Sequence, residues 1–313
     1  MTVLPGFLDA HVHLALIDPA PLTAGGIARV LDLGGWTPPD SAARAGLPEA
    51  VFAGQFLAAP GGYPSERPWA PAGSVRFVPQ ATDAAAAVDD QLALGASVIK
   101  VTLNGDAGPV LADDVLAAIV GHAHNRGTPV VAHAEGVGMA LRAFEAEVDV
   151  LAHTPFSERA GDELIEAMAG RMAWISTLDI HGWGEPTDDF DRAQDNLRRF
   201  HLAGGQVLYG TDLGNGSLPV GLNLREIDAL LAAGLGGDDV LRSLTMEHLG
   251  GFRNVLRGPA ATAPAGTTSE RLVTVLRGER PADPCAFSAW LCTARAVSPA
   301  DLVEIDALDL PND

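Results

Sequence analysis

Short β-branched or apolar runs alternate with Ala- and Leu-rich helical stretches along almost the whole chain, and few architectures tolerate that pattern. Strands are expected near Gly6–Leu14, Ala28–Gly34, Val51–Ala58, Ser97–Leu103, Pro129–Ala134, Asp149–Thr154, Ala173–Ile180 and Gln206–Asp212. Helical periodicity falls at Asp83–Leu94, Ala112–Asn125, Glu158–Met168, Asp188–Leu202, Leu222–Ala233 and Asp238–Leu249. Gly95, Gly127 and Gly204 follow three of these stretches as stop signals. Eight βα units in series predict an α/β fold, a parallel sheet closed into a (β/α)8 TIM barrel. The rival, an open doubly wound sheet, would carry a GxGxxG turn after its first strand, and none is present. The segment Val75–Ala81 reads as either an extra strand or a loop. After Gly250 the alternation weakens. A barrel domain over 1–263 is therefore expected, with 264–313 as a small C-terminal β appendage holding strand-like runs at Arg271–Leu276 and Ala286–Leu291.

At 313 residues the chain can bury roughly three quarters of its unfolded surface without staples. Its two cysteines, Cys285 and Cys292, are too few for a disulfide framework and read as buried thiols. A formal charge of −20 repels phosphate backbones and anionic lipid heads, so no nucleic-acid partner is expected. No apolar run approaches 18 residues and the N-terminus has no basic n-region, so a cytoplasmic protein without membrane association is expected.

In a parallel barrel the reactive groups gather at the carboxyl ends of the strands. Here the first strand ends Asp9-Ala10-His11-Val12-His13, and period-two alternation sends both histidines toward the mouth, where they can share a metal. Lys100 falls within the fourth strand; the fifth ends in His133, the sixth in His153 and the eighth in Asp212. Each residue alone has an ordinary structural explanation, a hydrogen-bonded core histidine or a helix-capping aspartate. Their joint placement points to a metal site. Lys100 is also the only lysine among 20 basic residues.

The block Pro5-Gly6-Phe7-Leu8-Asp9-Ala10-His11-Val12-His13-Leu14 resembles the opening signature of the amidohydrolase superfamily. Leu31-Asp32-Leu33-Gly34-Gly35, Gly95-Ala96-Ser97-Val98-Ile99-Lys100, Ala123-His124-Asn125-Arg126-Gly127, Ala132-His133-Ala134 and Gly210-Thr211-Asp212 recur in the matching order, over roughly residues 5–250. In particular the chain resembles imidazolonepropionase-like and prolidase-like members with a lysine on the fourth strand. The resemblance implies a binuclear centre: His11, His13 and Asp212 on one metal, His133 and His153 on the other, and a carboxylated Lys100 bridging them. It also implies that metal-activated water cleaves a C–N bond in a small-molecule amide, lactam or cyclic amide, with Asp212 carrying the proton. A carbamate can span two cations, and only an amine that can shed its proton reacts with carbon dioxide, which arginine cannot. An unmodified ammonium beside Asp212 in a one-metal site is the alternative. Zinc suits histidine and oxygen ligands, and manganese, iron or cobalt would also serve.

His181 and Trp183, just past the seventh strand, are candidates for substrate contact, and His181 also for oxyanion stabilisation in catalysis. Tyr63, in Pro60-Gly61-Gly62-Tyr63-Pro64, Trp69 and Asn104 are further substrate-lining candidates. His122, His124 and His201 fall on helices and read as structural, and His248 as a helix-end residue. Most relatives build a small β-sandwich from about fifty residues before the first strand together with the tail. Here the first strand begins within six residues of Met1, so the N-terminal half of that sandwich is expected to be missing, and a homodimer covering the exposed face is plausible. Alternative activities on the same centre are ester, lactone or organophosphate hydrolysis, or non-hydrolytic decarboxylation or isomerisation. A catalytically dead scaffold fits poorly with six retained ligand positions.

Overall fold

A computed structural model describes residues 1–35, 47–246 and 271–302. The fold is α/β. Parallel strands β2 (Phe7–Val12), β3 (Ile27–Asp32) and β4 (Glu49–Phe52) pair in that order. A second parallel sheet runs β11 (Gln206–Leu208), β10 (Ala173–Ile175), β9 (Val150–Leu151), β8 (Val130–Glu135), β7 (Ile99–Asn104), β5 (Phe56–Ala58) and β6 (Val75–Phe77). The two sheets touch at both margins. Ala10 N donates to Tyr209 O at 2.9 Å and Val12 bridges Leu213 on one side; Ser97 N donates to Phe52 O at 2.9 Å on the other.

Every residue of β2 and β7 is buried, as strands covered on both faces require. Two apolar clusters account for this. The larger lies between strands and helices. The smaller gathers Leu8, Leu31, Val51, Val131, Val150, Ile175 and Leu208, one from each of seven strands, together with Val98 just ahead of β7. The helices α1 (Ala84–Ala93), α2 (Asp113–Asn125), α3 (Met139–Glu145), α4 (Asp162–Ala169), α5 (Asp188–Leu202) and α6 (Leu224–Ala232) follow successive strands from β6 to β11, and α7 (Gly237–Thr245) follows α6 directly. In α5 the Thr187 hydroxyl accepts from Phe190 N at 3.0 Å, three aspartates occupy the first turn, and Arg199 and His201 lie in the last. Its buried face carries Phe200, stacked on Trp174 at 3.9 Å.

Several expectations change. The run 51–58 is two strands, because Gly54 turns the chain at φ +79° and a Cβ there would meet Gln91 Oε1 at 2.5 Å. Val75–Phe77 is a strand. Helix α3 was not expected. Ala286–Leu291, expected as a strand, is mostly helix α8 (Phe287–Leu291): Asp283 caps the preceding turn through Cys285 N at 2.9 Å, and Phe287, Trp290 and Leu291 are spaced to bury one helical face. The appendage is not made by the tail alone. β1 (Thr2–Pro5) pairs antiparallel with β12 (Val273–Leu276), which pairs with β13 (Arg295–Val297), so the N-terminus contributes one strand to a three-stranded sheet. Cys285 and Cys292 are exposed free thiols, since neither sits on the apolar face of α8. His248, the end of the helix expected through Leu249, and the proposed boundary at 263/264 lie outside the described residues. Among the described residues, no helix is long and apolar enough to cross a membrane.

Candidate metal centre

Strand β2 does not alternate evenly. Leu8 and Ala10 join the inner apolar cluster and Val12 the outer one, so the face switches between residues 10 and 12. The register shift between Asp9 and Val12 marks this irregularity, and irregularities of this kind re-aim side chains beside functional sites. It turns His11 and His13 into the cavity above the inner cluster. The Asp9 carboxylate holds the bend, accepting from His11 N at 3.0 Å, Thr211 N at 3.0 Å and Thr211 Oγ1 at 2.5 Å. Burial pushes Asp9 up to about 7 despite those bonds. Asp32 acts likewise at the next strand end, accepting from Leu14 N and Gly34 N, and burial lifts it to about 6.

His11 Nδ1 faces Ala152 O at 2.9 Å and His13 Nδ1 faces Gly34 O at 3.0 Å. A carbonyl only accepts, so both Nδ1 atoms carry a proton and both Nε2 atoms face Asp212 Oδ1, bare on a neutral ring. Burial keeps His11 neutral, while on His13 burial is outweighed by the Asp212 carboxylate, which favours a second proton. Those Nε2 atoms are 3.3 Å apart and lie 3.0 Å and 3.2 Å from Asp212 Oδ1. Burial alone would raise Asp212, but the surrounding imidazoles hold it well below the usual carboxylate range. Atoms of this kind so close together repel one another unless a proton or a metal ion lies between them. Ligand atoms around a tetrahedral zinc stand roughly 3.3 Å apart, so the donor set fits such an ion in type and spacing. Carbonyls on the far nitrogens are the supports that fix metal-binding imidazoles.

The other three predicted ligands line the same cavity, of about 330 Å³. The rings of His11 and His153 are 4.7 Å apart, and those of His133 and His153 5.0 Å. His153 Nδ1 is held by Thr177 Oγ1 at 2.9 Å, while His133 Nε2 lies 3.1 Å from Glu135 Oε2. Among the described residues, His11, His13 and Asp212 are the one group of three or more His, Cys, Asp or Glu whose ligand atoms converge. His133 and His153 therefore need a further donor. Lys100 is buried beside them, its Nζ has no hydrogen-bond partner, and burial brings its pKa down from 10.5 to about 7 against the pull of Asp212 and Asp32. An unpartnered amine that readily sheds its proton is the chemical form that reacts with carbon dioxide.

Of the substrate candidates, Tyr63 stacks on His133 at 4.8 Å and lines the cavity with Trp69. His181 lines it too, its ring 4.1 Å from Phe156. Its buried Nε2 is unpartnered, and burial brings its pKa to about 4, so it is neutral at pH 7. Asn104 does not line the cavity; its Nδ2 donates to Glu135 Oε2 at 2.8 Å behind His133. Trp183 stands outside, 46% exposed, donating to Asn215 O. His122 and His124 bond to Asp89 and Asp149, and His201 lies 3.7 Å from Asp239, all away from the cavity. Sequence reasoning missed Glu135, Thr177 and Asn215. Glu135 could have been found, since it stands two residues beyond His133 on the same strand face. Thr177, which adopts φ 42°, had no local signal.

The sequence matches no protein-family model and no curated protein. Solved structures do match. An amidohydrolase is 21% identical, with a TM-score of 0.70 over 95% of this chain and 85% of its own. A Xaa-Pro dipeptidase with methionine bound in its active site is 20% identical, with a TM-score of 0.70 over 95% and 85%. The A. niger ochratoxinase is 18% identical, with a TM-score of 0.70 over 95% and 82%. This chain carries the fold that those amidohydrolase and dipeptidase structures share.

Proposed function

We propose that this chain is a member of the amidohydrolase superfamily that hydrolyses a C–N bond in a small-molecule amide at a two-metal centre. The observation that carries the reading is the convergence of His11 Nε2, His13 Nε2 and Asp212 Oδ1 in one cavity with the unpartnered Lys100 Nζ. The proposal takes the two sheets as one closed (β/α)8 barrel. The contacts at both margins and the inner cluster drawn from successive strands support that closure. The cavity then sits at the carboxyl end of the barrel, where the loops converge. The likeness to an amidohydrolase and to a Xaa-Pro dipeptidase supports amide cleavage as the reaction.

In this reading His11, His13 and Asp212 hold one divalent ion, most simply zinc, His133 and His153 hold the second, and carboxylated Lys100 completes both sets. Such ions, when bound, acidify water and polarise a carbonyl. Asp212 moves the proton. Its Oδ2, steadied by Asn215 Nδ2 at 2.8 Å, takes it from the attacking water and returns it to the leaving nitrogen. His181 Nε2, neutral and free, orients the substrate from the cavity wall. Tyr63 and Trp69 exclude water from one side of the site.

The test is metal analysis of the purified protein, followed by a screen of dipeptides, N-acyl amino acids and cyclic amides. Expected are close to two equivalents of divalent metal, turnover of at least one C–N substrate, and loss of turnover in Asp212→Asn and Lys100→Arg. Full metal loading with no amide cleaved, or wild-type rates in Asp212→Asn, refutes the reading.

A further inference from the structure

The proposed reaction uses Asp212, Lys100 and five histidines, and leaves Glu135 without a role. Glu135 ends β8, and its side chain, 31% exposed, lines the cavity. Its contacts all go to Oε2: Asn104 Nδ2 donates to it at 2.8 Å and His133 Nε2 lies 3.1 Å away. Among the described residues Oε1 has no protein partner. An ion taking the lone pair of His133 Nε2 would leave Oε2 with Asn104 alone.

The surroundings suit positive charge. Tyr63, Trp69 and Phe156 line the same space, where aromatic rings suit a cation. His181 Nε2, buried and unpartnered, adds a lone pair. Among the described residues, Lys100 is the one lysine or arginine that lines the cavity; Arg67 does not line it, its guanidinium 5.8 Å from the Tyr63 ring centroid, though its charge reaches Glu135. The chain's charge of −20 favours cations over anions around the protein as a whole. A neutral amide offers a partly desolvated carboxylate an N–H but no charge, whereas an ammonium or amidinium offers both.

We propose that Glu135 is the specificity-determining residue of this site and binds an ammonium or amidinium group on the substrate, remote from the bond that is cut. As a statement about substrate it rests on the hydrolase reading; as a statement about binding it does not.

The test uses metal-loaded protein and two probes of nearly equal shape, benzamidinium and neutral benzamide, titrated by calorimetry. Benzamidinium is expected to bind about 10-fold or more tighter. The preference should vanish in Glu135→Gln and persist in Glu135→Asp, with metal content measured in each. Equal affinities in the wild type, tighter binding of benzamide, binding of neither at millimolar concentration, or an undiminished preference in Glu135→Gln each overturns the proposal. The wild-type comparison stands even if a variant does not fold. Since no turnover is needed, a cation preference alongside a failed amide screen would retain Glu135 and discard the hydrolase; amide turnover with no preference would do the reverse.

Discussion

Replacing Lys100 by Met should make the metal-free protein more stable while abolishing its activity. The Lys100 side chain is among the largest that are fully buried, and its Nζ meets no partner. Burial lowers its pKa from 10.5 to about 7. Each pH unit of that difference is worth about 1.4 kcal/mol, so the side chain costs the metal-free fold about 4–5 kcal/mol at pH 7. The sign follows from the depressed folded value. The cost is present in full below about pH 7, shrinks as pH rises, and is gone above 10.5, where folded and unfolded chains are both neutral. Methionine keeps most of the volume and removes the amine. In degassed, chelator-treated buffer at pH 7, Lys100→Met should melt about 6–8 °C above wild type, given the unfolding entropy typical of a chain this long. The gap should narrow by about half at pH 9. Differential scanning calorimetry of both proteins at both pH values measures this. A variant no more stable than wild type at pH 7, or a gap that ignores pH, would show that Lys100 is not held as an uncompensated buried amine.

Two further outcomes follow from the supports around the proposed metal ligands. Thr177→Val removes the group that holds His153 Nδ1 and should weaken metal affinity about 10–100-fold in a chelator competition, with the melting temperature of the metal-free protein little changed. Gly210→Ala places a Cβ 2.3 Å from Ile175 Cγ2 and 3.1 Å from His11 N, so it should destabilise the protein by about 1–3 kcal/mol in urea titration and lower its metal content. Wild-type stability in that variant would mean the strands can separate there without cost.

The ligands of the candidate centre could be read from the chain because strand ends are local. An apolar run that stops at His133, His153 or Asp212 puts that side chain at the same end of its strand, whatever surrounds it. Helix α5 was equally legible, with its cap, acidic first turn and apolar stripe all written within fifteen residues. Tertiary structure decided what depends on partners distant in sequence. The kink that turns both His11 and His13 inward is held by Thr211, some two hundred residues away. The proton positions on those imidazoles are set by the carbonyls of Ala152 and Gly34. The first strand Thr2–Pro5 has too little apolar pattern to announce itself and becomes a strand only because Val273–Leu276 offers an edge to pair with. The isolation of Lys100 Nζ is likewise a property of packing: lysine is ordinarily a solvated cation, and only the enclosing sheet removes the water that would keep it one.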